Sequence, residues 1–339
     1  MQEISESRHE ERNYGIDLLR LVSMYMVVIL HVLAESGVLS AQSLATQRVA
    51  WFLGTIAYCA VNCFGMISGY VSYRETEKPY RYSRFLYLWV PVFFYNFGIT
   101  LLAYVLKPGA VGDKELLLSA IPVTSGVYWY VSAYAGLFFL IPWLNAALRA
   151  LDDKRCSKFI FILFAVFICY GNLSRHFYDG FYLNDGYSLI WLMILYLIGA
   201  WMKKCDIPSR VKGNNLILGF LISTVFSWFM KEFMEEEIFV NYVSLTILFN
   251  AFALVCVFSK AKITSSAKKV ISAFAPAAFG VYLIHSETVI WDHFMIDALT
   301  WITGLPVWLI PQEVLGSAMG LFLVCLLIEK IRLVIFFEN

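Results

Sequence analysis

The sequence predicts an all-α fold, a bundle of about ten transmembrane helices with both termini in the cytoplasm. Hydrophobic residues occupy 60% of the 339 positions and charged residues only 15%, whereas a soluble domain carries roughly a quarter charged residues. Apolar runs of the length that crosses a bilayer as a helix recur along the whole chain. We therefore expect a single integral membrane domain over residues 1–339, in which residues 1–14 form a cytoplasmic tail.

The ten predicted spans follow one another with short polar connections. The ninth run contains Pro276 and Gly280, which predict a bend. In chain order the predicted spans are residues 15–35, 46–73, 82–106, 126–148, 158–173, 185–202, 214–232, 239–259, 270–296 and 309–334.

The charged residues predict the orientation and exclude some classes of partner. Lys and Arg concentrate in alternate connections, starting with the segment before the first span, and this alternation predicts cytoplasmic N and C termini.

The polar start of the chain gives no sign of a cleavable signal peptide. A net charge of +1 without a basic domain argues against nucleic-acid binding. The seven cysteines have no metal-ligand spacing, so we expect no metal site.

The first span carries polar groups that an apolar helix normally excludes. Arg20 and His31 are eleven positions apart, a separation that returns to within about 20° of the same direction on a helix. Asp17 lies one turn before Arg20 and Glu35 one turn after His31, so both can join this face. Ionisable groups within a span mark a functional site by default. A structural histidine bonded to a neighbouring helix is the alternative for His31.

The second and third spans add a further set of candidates. Arg81 and Arg84, one turn apart at the cytoplasmic start of the third span, suit phosphate binding or simple anchoring at the membrane surface. Asn62 and Ser68 lie among small residues of the second span, a composition typical of close helix packing. Packing is the favoured role for Ser68 and Gly69, whereas Asn62 can reach a site.

Two later segments carry the remaining candidates. His285 is a second intramembrane histidine, and Glu287 follows two residues later on a different face. A site role and a structural role for His285 are left equally open. Trp129 is either an aromatic residue at the membrane interface or the wall of an acceptor pocket.

Together these motifs resemble acyltransferase family 3, the integral membrane acyltransferases. Arg20 and His31 match the family's arginine–ten residues–histidine motif, with Asp17 before it. Arg81 and Arg84 match its arginine pair. The remaining matches are Phe64, Ser68 and Gly69 in the second span and Tyr282 to His285 in the ninth.

The resemblance also has departures. The family often has Asp where this chain has Asn62, and Phe where it has Gly65. The Asn62 variant looks like members from Gram-positive bacteria, which include polysaccharide acetyltransferases and the membrane part of the vancomycin-resistance serine racemase. This likeness implies a multi-pass protein of the bacterial plasma membrane.

The resemblance implies transfer of an acyl group, most often acetyl from acetyl-CoA, to a hydroxyl of a cell-surface or lipid-linked glycan. His31 would then act as the base that activates the hydroxyl, or carry the acyl group itself. Glu35 would orient its ring. The phosphates of acyl-CoA would bind Arg20, Arg81 and Arg84 at the cytoplasmic mouth.

Two other function classes stay open beside this one. A transporter or substrate-feeding membrane module, which the racemase resemblance suggests, would move a small amino acid without using a coenzyme. A structural partner in an export complex would leave Arg20 and His31 without a ligand. The sequence does not fix the oligomeric state, and a homo-oligomer is compatible with it.

Overall fold

The computed structural model describes residues 12–77, 79–171, 179–234 and 237–337. These residues form α-helices joined by short 3₁₀ and π segments, and none of them lies in a β-strand. The predicted all-α class is therefore confirmed. Most of the predicted N-terminal tail, and the end of the predicted fifth span, lie outside the described residues.

The α-helices are numbered here in chain order over the described residues. They are α1 (Tyr14–Glu35), α2 (Leu44–Ala57), α3 (Ala60–Ser72), α4 (Phe85–Leu106), α5 (Asp113–Ser119), α6 (Pro122–Ser125), α7 (Trp129–Arg149), α8 (Asp153–Leu163), α9 (Leu189–Lys204), α10 (Ile207–Arg210), α11 (Gly213–Met234), α12 (Leu245–Ser259), α13 (Ser265–Phe274), α14 (Ala278–His285) and α15 (Ile310–Phe337). A π-helical turn, Phe164–Tyr170, follows α8 directly.

Six helical segments of the described chain are long and apolar enough to cross a membrane. They are Tyr14–Glu35, Leu44–Ser72, Tyr82–Leu106, Trp129–Arg149, Gly213–Met234 and Ser265–His285. The other four predicted spans correspond to α8 with its π-helical turn, α9, α12 and α15. The count of ten crossings and the orientation stay predictions from the sequence.

Helix α1 lies at the centre of the bundle, where it packs against α2, α3, α12, α14 and α15. Its N-cap, Asn13, accepts a hydrogen bond from the N–H of Ile16 and donates one to the carbonyl of Ser259 at 2.9 Å. A Cβ at Gly15 would lie 1.9 Å from the carbonyl oxygen of Phe258. The glycine therefore lets α1 start in backbone contact with the end of α12.

Helices α3 and α9 approach each other just as closely through two glycines. A Cβ at Gly69 would lie 1.9 Å from the carbonyl oxygen of Tyr196, and a Cβ at Gly199 would lie 1.9 Å from that of Met66. Small residues at such crossings allow backbone contact between membrane helices. This contact fixes α3, which carries one wall of the cavity described below.

The second and ninth predicted spans are each interrupted. Helices α2 and α3 are separated at residues 58–59. A 3₁₀ turn that contains Pro276 separates α13 from α14, which confirms the bend. The predicted extension of the ninth span to residue 296 is wrong, because α14 ends at His285. At this helix end the indole N–H of Trp291 donates to the carbonyl of His285 at 2.6 Å. This bond gives the last carbonyl of α14 a hydrogen-bond partner.

Candidate active site

A cavity of about 360 Å³ runs between the helices beside α1, and we call it the aromatic cavity. Five helices, a 3₁₀ turn and a loop contribute to its wall, and most of the side chains that line it are aromatic or aliphatic. The residues that line it are Arg20, Met24, Val27, His31, Val61, Phe64, Ser68, Leu88, Trp129, Tyr130, Val131, Tyr134, Tyr242, Ala275, Pro276, Ala278, Phe279 and Tyr282.

Helix α1 supplies one continuous stripe of this wall. Arg20, Met24, Val27 and His31 follow at intervals of three or four residues, the spacing that places side chains on one face of an α-helix. The two polar groups thus lie at opposite ends of the stripe, roughly 16 Å apart along the helix axis. The structure therefore brings Arg20 and His31 into one cavity, as their spacing predicted.

A second cavity, of about 260 Å³, lies at the amino-terminal end of α1, and we call it the basic cavity. Four cationic side chains line it together with Asp17: Arg12, Arg20, Arg74 and Lys203. Arg20 also lines the aromatic cavity, so it belongs to the walls of both cavities. A cluster of Arg and Lys of this kind suits an anion such as phosphate.

Asp17 organises the arginines of the basic cavity. Its buried carboxylate accepts hydrogen bonds from Nε of Arg12 at 2.5 Å and from Nη1 of Arg20 at 2.7 Å. One carboxylate held between two guanidinium groups leaves a net positive charge at this position. The sequence placed Asp17 beside Arg20 but gave no site role to Arg12, Arg74 or Lys203, and the approach of Arg74 and Lys203 depends on how distant segments pack.

His31 is in ring contact with the second intramembrane histidine. The ring centroids of His31 and His285 are 4.8 Å apart and the rings are tilted by 48°. His285 is buried, and its Nδ1 lies 2.6 Å from the carbonyl oxygen of Val281. The sequence selected both histidines, but their 254-residue separation gave no sign that they touch.

Glu287 lies behind the aromatic cavity and does not line it. Its buried carboxylate accepts hydrogen bonds from the hydroxyl of Tyr128 and, at 3.0 Å, from the side-chain amide of Asn96. Helices α4 and α7 thereby meet the segment that follows α14. Within the described chain this carboxylate acts as a hydrogen-bonding anchor between helices.

Asn62 is fully buried, and both polar atoms of its side chain are engaged. Its Nδ2 donates to the carbonyl of Tyr242 at 2.7 Å, and its Oδ1 accepts from the indole N–H of Trp191 at 3.0 Å. Asn62 therefore reaches the cavity indirectly, by holding the backbone of Tyr242. Ser68 lines the cavity itself while its hydroxyl donates to the carbonyl of Phe64 at 2.9 Å.

Trp129 belongs to a cluster of three aromatic rings, two of which, Trp129 and Tyr242, line the cavity. Its ring centroid lies 4.6 Å from that of Tyr187 and 6.2 Å from that of Tyr242. The rings of Tyr187 and Tyr242 are 5.1 Å apart. Gly186, at φ +98°, makes room for Tyr242, because a Cβ there would lie 2.4 Å from Cβ of Tyr242. The sequence pointed only to Trp129 of these three.

Three further predicted site residues also lie outside both cavities. Arg81 and Arg84 are exposed on the 3₁₀ turn that precedes α4 and line neither cavity. Glu35 is exposed at the end of α1, and no hydrogen bond joins it to His31 in the described chain. The roles predicted for these three residues stay predictions.

A third cavity, of about 410 Å³, is unsuited to chemistry. It lies between α3, α8, α9 and α12 and is lined by apolar side chains apart from Ser157 and Trp201. Those two bond to each other, since the indole N–H of Trp201 donates to the hydroxyl of Ser157 at 3.0 Å. Its wall offers neither a base nor a cation.

The helices and cavities define a multi-pass membrane protein with an internal cavity that is lined by a histidine and shares Arg20 with a basic cavity. A family model described as an acyltransferase domain, that of acyltransferase family 3, matches residues 13–330. The chain therefore belongs to acyltransferase family 3 and is a membrane acyltransferase, as its motifs predicted. No curated protein and no solved structure matches the chain in the corresponding searches.

Proposed function

We propose that the protein is an O-acyltransferase that moves an acyl group, typically acetyl, from cytoplasmic acyl-CoA to a hydroxyl of a cell-surface or lipid-linked glycan. The observation that carries this proposal is that Arg20 lines both the basic and the aromatic cavity. A ligand with phosphates in the first cavity can thus extend past Arg20 into the second, where His31 lies. Acyl-CoA has this form, with phosphates at one end and the thioester on a flexible arm.

The cationic cavity is the proposed site for the donor's phosphates. Arg20 offers a planar fork of N–H donors that fits phosphate oxygens, and its charge is oriented by Asp17 at 2.7 Å. Lys203 on α9 and Arg74, two residues beyond the end of α3, add positive charge. We propose that Arg81 and Arg84, exposed at the same predicted cytoplasmic face, attract the donor or hold a further phosphate.

His31 is the proposed base. A sugar hydroxyl is a poor nucleophile until its proton is taken, and a neutral imidazole suits that task near neutral pH. In the proposed reaction the hydroxyl oxygen bonds to the thioester carbonyl carbon, the carbon–sulfur bond breaks, and the proton passes through His31 to the departing thiolate. A transient acyl group on His31 itself is the alternative route.

The three-ring cluster of Trp129, Tyr187 and Tyr242 is the proposed acceptor platform. Trp129 and Tyr242 line the aromatic cavity together with His31, and Tyr187 is 44% exposed. Aromatic rings give a large rigid contact surface at low cost in conformational entropy. A sugar ring lying against it would present a hydroxyl toward His31.

The proposal is tested with purified protein in lipid nanodiscs and labelled acetyl-CoA. Release of CoA thiol is measured without an acceptor and with glucose, N-acetylglucosamine or N-acetylmuramic acid, and acetyl esters are identified by mass spectrometry. We expect His31→Ala to remain folded and lose transfer, whereas His293→Ala, a histidine outside both cavities, retains it.

Two results would overturn the proposal. Wild-type protein that neither binds nor consumes acetyl-CoA would remove the donor from the scheme. Uptake of an amino acid into proteoliposomes by the same preparation would then support the transporter function instead. Transfer that persists in His31→Ala would remove the proposed base.

A further inference from the structure

The protonation of His285 follows from its hydrogen-bond partner. A peptide carbonyl can only accept a hydrogen bond, so Nδ1 of His285, 2.6 Å from the carbonyl oxygen of Val281, must carry the hydrogen. A buried imidazolium without an anion would be costly, and no ion pair to His285 exists in the described chain. His285 is therefore neutral, and its Nε2 holds a lone pair that accepts a hydrogen bond.

That acceptor is buried and has no hydrogen-bond partner among the described residues. Buried side-chain polar atoms in native proteins nearly always have a partner, so an unsatisfied one calls for a physical explanation. The backbone around it is fixed, because Trp291 donates to the carbonyl of His285 at 2.6 Å. The ring of Tyr282 lies 6.3 Å away and is turned edge to face, which closes another side.

The neighbour best placed to satisfy Nε2 is His31. The two imidazole centroids are 4.8 Å apart, so the rings are close enough for a rotation of His31 to direct one of its N–H groups toward Nε2. His31 lines the aromatic cavity whereas His285 does not. His31 can therefore face the cavity with one ring nitrogen while the other faces His285.

We propose that His285 is the positioning residue of His31, accepting a hydrogen bond from it at Nε2. This proposal rests on the proposed function of His31 as a base. A neutral imidazole has one N–H and one unprotonated nitrogen. An acceptor at one side of His31 places the N–H there and leaves the unprotonated nitrogen, which acts as the base, toward the cavity. In the resulting chain of hydrogen bonds, His285 donates to the carbonyl of Val281, His31 donates to His285, and the acceptor hydroxyl donates to His31.

The proton balance of the reaction is unchanged by this arrangement. The cavity-facing nitrogen of His31 takes the hydroxyl proton as the oxygen–carbon bond forms, and returns it to sulfur as the carbon–sulfur bond breaks. Throughout, the other N–H of His31 stays bonded to Nε2 of His285. His285 keeps its own hydrogen on Nδ1 and stabilises the transient imidazolium of His31 by accepting from it.

The first test reads the tautomers directly and needs no substrate. His9, His176 and His293 are replaced by Gln, so that ¹⁵N-histidine labelling reports only on His31 and His285 among the five histidines. In nanodiscs we expect His285 to carry its hydrogen on Nδ1, and a coupling between its Nε2 and an N–H of His31. A hydrogen on Nε2 of His285, or the absence of that coupling, overturns the proposal even if the protein transfers acetyl groups.

The second test separates positioning from packing with two amides. His285→Gln can place its amide oxygen near the position of Nε2, whereas His285→Asn can still donate to Val281 but has no atom there. We expect kcat for acetyl-CoA turnover to fall about ten- to a hundredfold in His285→Asn, the range for loss of a partner that orients a functional histidine. In His285→Gln kcat should largely recover, and KM for acetyl-CoA should be unchanged in both variants.

The outcomes of this second test are distinguishable. Equal kcat in the Asn and Gln variants, with both folded, would show that Nε2 has no role and overturn the positioning proposal. Absence of acetyl-CoA turnover in the wild type would contradict the proposed function, while the tautomer measurement would still decide whether His285 bonds to His31.

Discussion

Arg20 and His31 lie on one face of α1 and line a single cavity, while Arg20 alone also lines the basic cavity next to it. The two side chains are roughly 16 Å apart along the helix axis. This relationship gives each residue a separate expected effect on the enzyme. Changes at Arg20 should act on donor binding, and changes at His31 on the chemical step.

Substitution of Arg20 should raise KM for acetyl-CoA more than it lowers kcat. Hydrogen bonds to a charged group contribute about 1.5–3 kcal/mol, so Arg20→Ala should raise KM about ten- to a hundredfold. Arg20→Lys keeps the charge but loses the planar fork and should fall between Arg20→Ala and the wild type. Steady-state kinetics in nanodiscs measure both constants. An unchanged KM in Arg20→Ala would contradict a role in donor binding.

The basic cavity and the arginine pair before α4 can be compared with a truncated donor. Arg74→Gln and Lys203→Gln alter the basic cavity, whereas Arg84→Gln alters only the exposed pair. If the cavity holds the donor phosphates, the first two variants should raise KM for acetyl-CoA and leave turnover of S-acetyl-pantetheine, which has no phosphate, unaffected.

The expected effect of Arg84→Gln is smaller and sensitive to salt. An exposed cation that only attracts the donor is screened at high ionic strength, so its effect should disappear as salt is added. A larger KM effect for Arg84→Gln than for Arg74→Gln and Lys203→Gln would instead assign the phosphates to the exposed pair. The same measurements decide between the two sites.

Substitution of Asn62 should destabilise the protein and disturb the aromatic platform. Asn62→Leu leaves the indole N–H of Trp191 and the carbonyl of Tyr242 without their partners, and each buried unsatisfied group costs about 1–3 kcal/mol. Asn62→Asp can still accept from Trp191 when ionised but cannot donate to Tyr242. Both variants should lower the unfolding temperature, and Asn62→Leu should do so more when Trp191 is intact than in a Trp191→Phe background.

The class of fold and the residues of α1 could be predicted from the sequence, because apolar length and helical spacing are local properties. The contact of His31 with His285 and the convergence of Arg74 and Lys203 on Arg20 could not. They depend on helix packing between distant segments, which a single sequence does not record. The predicted ninth span was too long for a related reason. The carbonyl of His285, at the end of α14, accepts a hydrogen bond from Trp291, a residue beyond the helix.

The crossing of α3 and α9 gives a prediction about stability that extends to the site. Gly69→Ala and Gly199→Ala each place a methyl group where a backbone carbonyl oxygen would be 1.9 Å away. A backbone atom cannot rotate aside as a side chain can, so the helices must separate. Overpacking of this kind costs about 1–3 kcal/mol or more.

Because α3 also carries Phe64 and Ser68 of the aromatic cavity, the separation should reduce both the unfolding temperature and acetyl-CoA turnover. Gly213→Ala is the matched control, since a Cβ there meets no heavy atom within 4 Å. Thermal unfolding followed by intrinsic fluorescence, with turnover measured on the same samples, checks the expectation. Wild-type stability in both Gly69→Ala and Gly199→Ala would mean that the two helices do not cross at backbone contact.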